Sequence, residues 1–193
     1  MGSGCWGMSR DLGLNTNFHE FFRITRINGA MTAKEKQTII IKTFLKPLLK
    51  AHGYSTKGQT WWRDQGDFFI IINLQNFSFN TKDDVYFCFN IGIALKNKMK
   101  NPENNSPGHR DLSVPLRHNA YISESRVNRF RNNFGYVLSS KTNVDDFIEE
   151  FKIDFEKEIL PTLDRLKTTA DCINFYEKFP FLNDYLRRII NES

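Results

Sequence analysis

The chain has 193 residues, a formal net charge of +5, 40% apolar residues and 25% charged residues. This length predicts one domain, and the composition is typical of a soluble globular protein rather than a collagen-like, disulfide-framework or wholly disordered one. The apolar run from Phe68 to Ile72 is far shorter than the roughly 20 residues that a membrane-spanning helix needs.

The first 30 residues differ from the rest of the chain. They begin with a segment rich in Gly and Ser and show no clear hydrophobic period. We expect residues 1–30 to form an N-terminal extension, either mobile or not native, and residues 31–193 to form a single α+β domain.

A helix is predicted directly after this extension, over residues 33–52. Thr32 and Glu35 have the spacing of a capping box, in which each side chain accepts a hydrogen bond from the other residue's backbone N–H. Pro47 should kink this helix, and Gly53 should end it.

The middle of the chain predicts an antiparallel sheet. Val85 to Leu95 alternates between large apolar and smaller or polar residues, and Phe68 to Phe77 has the apolar composition of a central strand. Short connections make these strands antiparallel neighbours. Residues 96–108 are polar, contain two prolines and predict a long loop. The predicted strands are 60–64, 68–77, 85–95, 116–122 and 135–139.

The last third of the chain predicts helices. Asn143 is suited to cap a helix that carries an apolar stripe, and Pro161 interrupts that stripe. Thr168 with Asp171 predicts a further short helix, and Pro180 starts the last one. The expected fold is α+β, with an antiparallel sheet of four to five strands packed against the N-terminal helix and the C-terminal helices, mostly on one face.

Several of these segments together resemble a known family. In chain order they are Leu45-Lys-Pro-Leu-Leu-Lys-Ala-His-Gly-Tyr54, Trp61-Trp-Arg63, Ile72-Asn-Leu-Gln-Asn-Phe-Ser78, Phe87-Cys-Phe-Asn-Ile-Gly-Ile93 and Ile159-Leu-Pro-Thr-Leu163. Their order and spacing resemble the bacterial domain-of-unknown-function family 4304 (DUF4304) over about residues 33–170. The resemblance implies a fold and a bacterial origin, and it implies no activity.

Cysteine and histidine are too sparse to predict a metal site or a disulfide framework. Cys5, Cys88 and Cys172 are odd in number and far apart, and the four histidines lack metal-ligand spacing. We therefore expect a reduced, cytoplasmic protein with no metal and no cofactor.

Two features of the composition allow more than one interpretation. Eighteen Phe predict an aromatic core, although exposed rings beside a basic groove would instead stack on bases. Residues 1–133 contain 19 basic and 10 acidic residues, whereas residues 134–193 contain 8 and 12. This asymmetry indicates either a nucleic-acid face or an attraction that joins the two parts of one domain, and we favour the attraction.

Polar residues on the predicted strands are the first candidate site. Asn73 and Gln75 share one face of the central strand, and Asn90 lies on the strand expected beside it. A buried amide without a hydrogen-bond partner costs about 1–3 kcal/mol, so each of these side chains needs a hydrogen-bond partner. They form either a patch that binds a ligand or a partner, or a satisfied network beneath the helices.

Basic residues outside the strands are the second set of candidates. Arg117 and His118 lie near His109-Arg110-Asp111, in or beside the long loop, where histidine and arginine suit phosphate clamping. Arg126, Arg129 and Arg131 form a basic stretch whose guanidinium groups match phosphate oxygens. For each group we favour an ordinary solvated surface.

The function we expect is a non-enzymatic protein-binding module of the immunity- or defence-associated type, because the sequence contains no catalytic motif. The alternative is a nucleic-acid-binding or processing protein that uses the basic stretch from Arg126 to Arg131. No membrane partner is expected.

Overall fold

A seven-stranded antiparallel sheet organises the described part of the chain. The computed structural model describes residues 31–103 and 105–192, so the predicted extension at residues 1–30 lies outside the described residues. The strand order is β1-β2-β3-β4-β7-β6, and β5 also pairs with β4. The strands are β1 (Ser55–Lys57), β2 (Thr60–Asp64), β3 (Phe68–Asn76), β4 (Asp84–Leu95), β5 (Leu116–Arg117), β6 (Arg131–Asn132) and β7 (Gly135–Ser139).

The predicted α+β fold with an antiparallel sheet is confirmed, and two short edge strands, β1 and β6, extend it. The predicted strand 116–122 is wrong beyond Arg117, because residues His118–Tyr121 form a 3₁₀ turn. Side chains replace backbone pairing in this turn. The N–H of Phe89 in β4 donates to Nδ1 of His118 at 3.3 Å, and the hydroxyl of Tyr121 donates to the carbonyl of Ile91 at 3.3 Å.

The N-terminal helix is confirmed, including its cap. It consists of α1 (Ala33–Ile40), a π-helical segment (Ile41–Leu45) and α2 (Lys46–Ala51). The N–H of Thr32 donates to Glu35 at 2.8 Å, and the N–H of Glu35 donates to the Thr32 hydroxyl at 3.3 Å. Gly53, with a φ of +79°, then ends the helix by adopting a left-handed conformation that favours glycine.

Pro47 and Pro161, which were predicted to kink or interrupt helices, each lie two residues after a π-helical segment. The C-terminal helix consists of α3 (Val144–Lys152), a π-helical segment (Ile153–Ile159) and α4 (Leu160–Asp164), so Pro161 repeats the arrangement at Pro47. A proline cannot donate to the carbonyl four residues earlier, and its ring crowds that carbonyl. In both helices that carbonyl lies in the wider π turn, which accommodates the ring.

The remaining helices are α5 (Thr169–Tyr176) and α6 (Pro180–Asn191). Both predicted starts are confirmed, since the Thr168 hydroxyl accepts from the N–H of Asp171 at 3.2 Å and Pro180 lies in the first turn of α6. The cap of α3 is confirmed as well, because the Asn143 side chain accepts from the N–H of Asp145 at 2.9 Å.

One face of the sheet packs against helices and forms an aromatic core. Phe89 in β4 is fully buried, and its ring centroid lies 5.9 Å from that of Phe151 and 5.1 Å from that of Phe155. Phe44 of the N-terminal helix lies 5.9 Å from Phe151 on the same side. The predicted aromatic core is therefore confirmed, and we call this side the helix-covered face.

The opposite face of the sheet is covered over only part of its area. Side chains alternate between faces, so Trp62, Phe69 and Ile71 point away from the helix-covered face. These three residues form a buried cluster with Met99, and Leu112 packs against it. The predicted long loop thus folds back over this part of the sheet, whereas Gln75 and Arg117 elsewhere on the same face are exposed.

Gly135, the first residue of β7, is expected to be required for stability. Its φ is +147°, and a Cβ atom there would lie 2.3 Å from the carbonyl oxygen of Phe87. We expect Gly135→Ala to lower the free energy of unfolding by about 3 kcal/mol, because strain and overpacking add.

Gly58→Ala is the matched control for this prediction. Gly58 also has a positive φ, +62°, but a Cβ atom at this position would meet no other atom within 4 Å. This substitution should lower the free energy of unfolding by only about 1 kcal/mol. Urea denaturation measures both variants, and equal losses would show that the close approach at Gly135 is unimportant.

Candidate functional site

A row of polar side chains crosses the uncovered part of the sheet. Backbone pairing places Lys57 opposite Thr60, Thr60 opposite Asn73, Asn73 opposite Asn90, and Asn90 opposite Arg117. Five neighbouring strands, β1 to β5, therefore contribute one residue each. Because opposed residues in a sheet point to the same side, the five side chains share the face that lies opposite the helices.

The four predicted residues Asn73, Gln75, Asn90 and Arg117 come together here. Oε1 of Gln75 accepts from Nδ2 of Asn90 at 3.0 Å and from Nη1 of Arg117 at 3.0 Å. Nδ2 of Asn73 donates to the Thr60 hydroxyl at 2.9 Å. Gln75 and Arg117 are exposed, and the two asparagines are half-buried. The amides thus form a mutual network on the surface and not beneath the helices.

Cys88 lies next to this row as a buried thiol. Its Sγ accepts a hydrogen bond from Nη1 of Arg117, and its side chain is fully buried. Burial raises the pKa of the Cys88 thiol, and the nearby Arg117 guanidinium only partly offsets this rise. The thiol therefore stays protonated at neutral pH and is not an activated nucleophile.

Four aromatic rings continue the same surface. Phe77 stacks on Phe79 with ring centroids 5.5 Å apart, Phe79 lies 5.2 Å from Tyr86, and Phe77 lies 6.3 Å from Phe134. Phe79 is 57% exposed and Phe134 is 62% exposed. We call these four rings together with Asn73, Gln75, Asn90 and Arg117 the open sheet face.

Sequence reasoning missed the aromatic part of this surface because it assigned the phenylalanines to the core. A usable signal was present in the alternation of β3. Phe77 continues the two-residue spacing of Asn73 and Gln75 and therefore belongs to the same side of the sheet, whereas Phe79 lies in the turn after β3, where this spacing no longer assigns a side.

His118, predicted beside Arg117, points into the protein instead. It is 1% exposed, and its ring stacks on Tyr136 with centroids 4.8 Å apart. Burial, followed by the positive charge of Arg131, lowers the pKa of His118 to about 3. A neutral imidazole that accepts from the Phe89 N–H is a structural part of the core, and it does not join the open sheet face.

The predicted basic stretch contacts acidic residues of the C-terminal helix. Arg126 pairs with Glu150 and, through Nε at 3.1 Å, with Asp154. Arg129 pairs with Asp146 at 2.6 Å, but this pair is exposed. Nη2 of Arg131 donates to the carbonyl of Arg126 at 2.6 Å.

Asp154 is the centre of these contacts and is fully buried. Its carboxylate accepts from Nε of Arg126 at 3.1 Å, from Nδ2 of Asn128 at 2.9 Å and from the hydroxyl of Tyr136 at 2.8 Å. Nε of Arg131 lies 3.9 Å away. The contacts favour the interpretation in which the charge asymmetry joins two parts of one domain.

Fold and surface together define an α+β protein whose sheet has helices on one face and a partly open opposite face. Residues 45–165 match the family model described as Domain of unknown function (DUF4304). The chain therefore belongs to this family, as the motif order predicted. No curated protein and no solved structure matches the chain.

Three of the family-like segments meet at Arg63. Its guanidinium donates to the carbonyl of His52 at 3.2 Å and to the carbonyl of Leu163 at 3.2 Å, and it pairs with Asp164 at 2.6 Å. It also lies 4.9 Å from the ring centroid of Tyr54. Arg63 thus ties the end of α2 to the end of α4, which gives these motif residues a structural role.

Two further properties concern the described residues as a whole. Across residues 31–103 and 105–192, no helix combines the length and apolar character needed to cross a membrane. Within the same ranges, no three His, Cys, Asp or Glu side chains are grouped as metal ligands would be.

Asp154→Asn is expected to destabilise the protein strongly. The substitution removes the buried negative charge and leaves Arg126 and Arg131 facing a neutral amide, and breaking a buried ion pair costs about 3–5 kcal/mol. Asp146→Asn, which removes the exposed partner of Arg129, should cost less than about 1 kcal/mol. Urea denaturation at neutral pH measures both, and a small effect at Asp154 would contradict its central role.

His118 is expected to make the protein less stable in mild acid. Its pKa in the folded protein, about 3, lies below the ordinary value of 6.5, so the unfolded chain binds a proton first. The contribution of His118 to the free energy of unfolding is fully present above pH 6.5, and it is lost as the pH decreases toward 3. Between pH 7 and pH 5 this one group should lower the free energy of unfolding by about 2 kcal/mol.

The variant His118→Asn separates this effect from other titrating groups. The Asn carbonyl can accept from the Phe89 N–H but does not titrate. Denaturation curves at pH 7 and pH 5 should show a smaller pH dependence in the variant than in the original protein. Equal pH dependence would mean that His118 is not the titrating group.

Proposed function

We propose that this protein is a non-enzymatic protein-binding module and that the open sheet face is its binding surface. The observation that carries the proposal is the group of four aromatic rings beside the amide and arginine row, on a part of the sheet that no described helix covers. Phe79 and Phe134 each expose more than half of their surface, with 57% and 62% accessible. Large exposed rings are a common sign of an interaction site.

The chemistry of this surface supports binding to another protein. Aromatic residues and arginine are enriched among the residues that dominate binding energies in protein interfaces. The rings supply apolar area, while the amides and the guanidinium supply directional hydrogen bonds. The Gln75 amide nitrogen donates to none of the described residues and is available to a partner's carbonyl or carboxylate.

The same groups are suited to recognition rather than to a reaction. Amides and phenyl rings do not transfer protons at neutral pH, and a guanidinium group serves as a hydrogen-bond donor. The raised pKa of the Cys88 thiol keeps it from acting as a nucleophile. We place the protein in the immunity- or defence-associated type by analogy with small α+β proteins that act through a surface.

The alternative, nucleic-acid binding through Arg126, Arg129 and Arg131, has less support. Phosphate groups would compete with Asp154 and Glu150 for Arg126 and with Asp146 for Arg129. A nucleic-acid partner is therefore an outcome that the test below must distinguish.

A variant with Phe79→Ser and Phe134→Ser is expected to lose the partner. The full-length protein is immobilised and incubated with lysate of its own source cells, and retained proteins are quantified by mass spectrometry. The matched control is Phe181→Ser, because Phe181 is 84% exposed but lies on α6. A specific partner should be retained by the original protein and the control, and reduced at least about tenfold by the double variant, as expected when hot-spot rings are removed.

Two results would overturn the proposal. One is equal retention of every bound protein by the double variant and the control. The other is binding to DNA or RNA that weakens steeply between low and high salt and is lost with Arg129→Ala, as contacts to phosphates require. Unchanged thermal unfolding of all variants shows that the comparison reports on the surface and not on folding.

A further inference from the structure

A second concave site lies between the segment that covers part of the sheet and α6. Its volume is about 850 Å³, which falls within the roughly 300–1,000 Å³ typical of small-molecule sites. The charged and aromatic side chains that line it are Lys98, Lys100, His109, Arg110, Asp111 and Tyr185. None of these belongs to the open sheet face, so this site is independent of the function proposed above.

Positive charge without a counter-charge is concentrated in this cavity. Lys98, Lys100 and Arg110 form no ion pair with any described carboxylate, although Nζ of Lys98 donates to the carbonyl of Glu192 at 3.3 Å. Arg63, by contrast, pairs with Asp164 at 2.6 Å. Like charges that converge without a counter-charge repel one another, and an anionic ligand relieves this repulsion.

Asp111, the acidic residue of the cavity, forms no ion pair with these three cations and leaves an excess of positive charge in the lining. Oδ2 of Asp111 accepts from the N–H of Gly108 at 2.7 Å and thereby closes the 3₁₀ turn His109–Asp111. This hydrogen bond fixes the turn that carries His109 and Arg110 at the cavity. The carboxylate therefore acts as a local brace, and no ion pair joins it to a lysine or arginine among the described residues.

The cavity also has an apolar and aromatic side. Met99 is 6% exposed and belongs to the buried cluster under the covering segment, and Leu112 packs against that cluster. Tyr185 lies across from them on α6 and keeps 39% of its surface exposed. A ring of this kind offers a stacking surface to a planar group.

We propose that this cavity binds a nucleotide. Lys98, Lys100 and Arg110 bind the phosphate oxygens, with His109 as a further donor, since ammonium and guanidinium groups form the stronger, charge-assisted hydrogen bonds. Tyr185 stacks on the base, and Met99 and Leu112 give the cavity a fixed apolar wall. A ligand with both polyphosphate and a planar ring uses all of these groups, whereas inorganic phosphate uses only the basic ones.

The test is calorimetric titration of the full-length protein with ATP, GTP, tripolyphosphate and adenosine. The original protein should bind at least one nucleotide with a Kd below about 100 μM, more tightly than tripolyphosphate or adenosine. Lys100→Glu with Arg110→Glu should weaken this binding at least about tenfold, because charge-assisted hydrogen bonds to the phosphates are replaced by repulsion. Tyr185→Ala should weaken the binding of the nucleotide and leave the affinity for tripolyphosphate unchanged.

The control is a double variant of equal charge, Lys42→Glu with Lys50→Glu, in which both exposed lysines lie on the N-terminal helix. It should bind nucleotides like the original protein. Absence of nucleotide binding at 1 mM probe, on the order of the weakest useful affinity, would overturn the proposal. So would equal losses in both double variants, which indicate non-specific charge attraction, or equal affinity for ATP and tripolyphosphate.

Discussion

The buried carboxylate of Asp154 is the constraint on which the rest of the structure depends. A fully buried charge must be paired and hydrogen-bonded, and Asp154 meets this requirement with donors from Arg126, Asn128 and Tyr136. Arg126 and Asn128 belong to the segment before β6 and Tyr136 lies in β7, whereas Asp154 lies in the C-terminal helix. One side chain therefore fixes how that helix packs on the sheet. The contacts continue inward, because Tyr136 stacks on His118, which in turn accepts from the backbone of β4.

This arrangement explains why one face of the sheet is covered and the other is partly open. The acidic helical end and the basic segment attract each other on one side, and the aromatic rings of both then pack into a common core. On the opposite face the segment after β4 folds back, and its apolar residues Met99 and Leu112 cover Trp62, Phe69 and Ile71. Beyond this cover the strands carry amides, which are stable in contact with water. The amide row of the open sheet face thus begins where the apolar side chains of the covered cluster end along each strand.

Local features of this fold could be predicted from the sequence, and long-range ones could not. Helix starts at Thr32, Asn143 and Thr168 depend on residues three or fewer positions away, and all three are confirmed. The positions of Asn73, Gln75 and Asn90 follow from strand alternation and a short connection. His118 was misplaced because its partner, Phe89, is 29 residues away. The exposed rings were missed because apolar composition predicts burial in general and does not identify which rings lie beyond the edge of a cover.

The residues that resemble the family differ in what the structure requires of them. Arg63 joins two helix ends, and a Cβ atom at Gly92 would lie 2.4 Å from the carbonyl oxygen of Val114, so packing alone accounts for both. Packing makes no such demand at Gln75, which is exposed and contacts mainly its polar neighbours Asn90 and Arg117. Many polar side chains would suit a solvated strand equally well there. The scaffold therefore explains the motif residues at the helix junction, and the amide row on the open sheet face is where a functional role has to be sought.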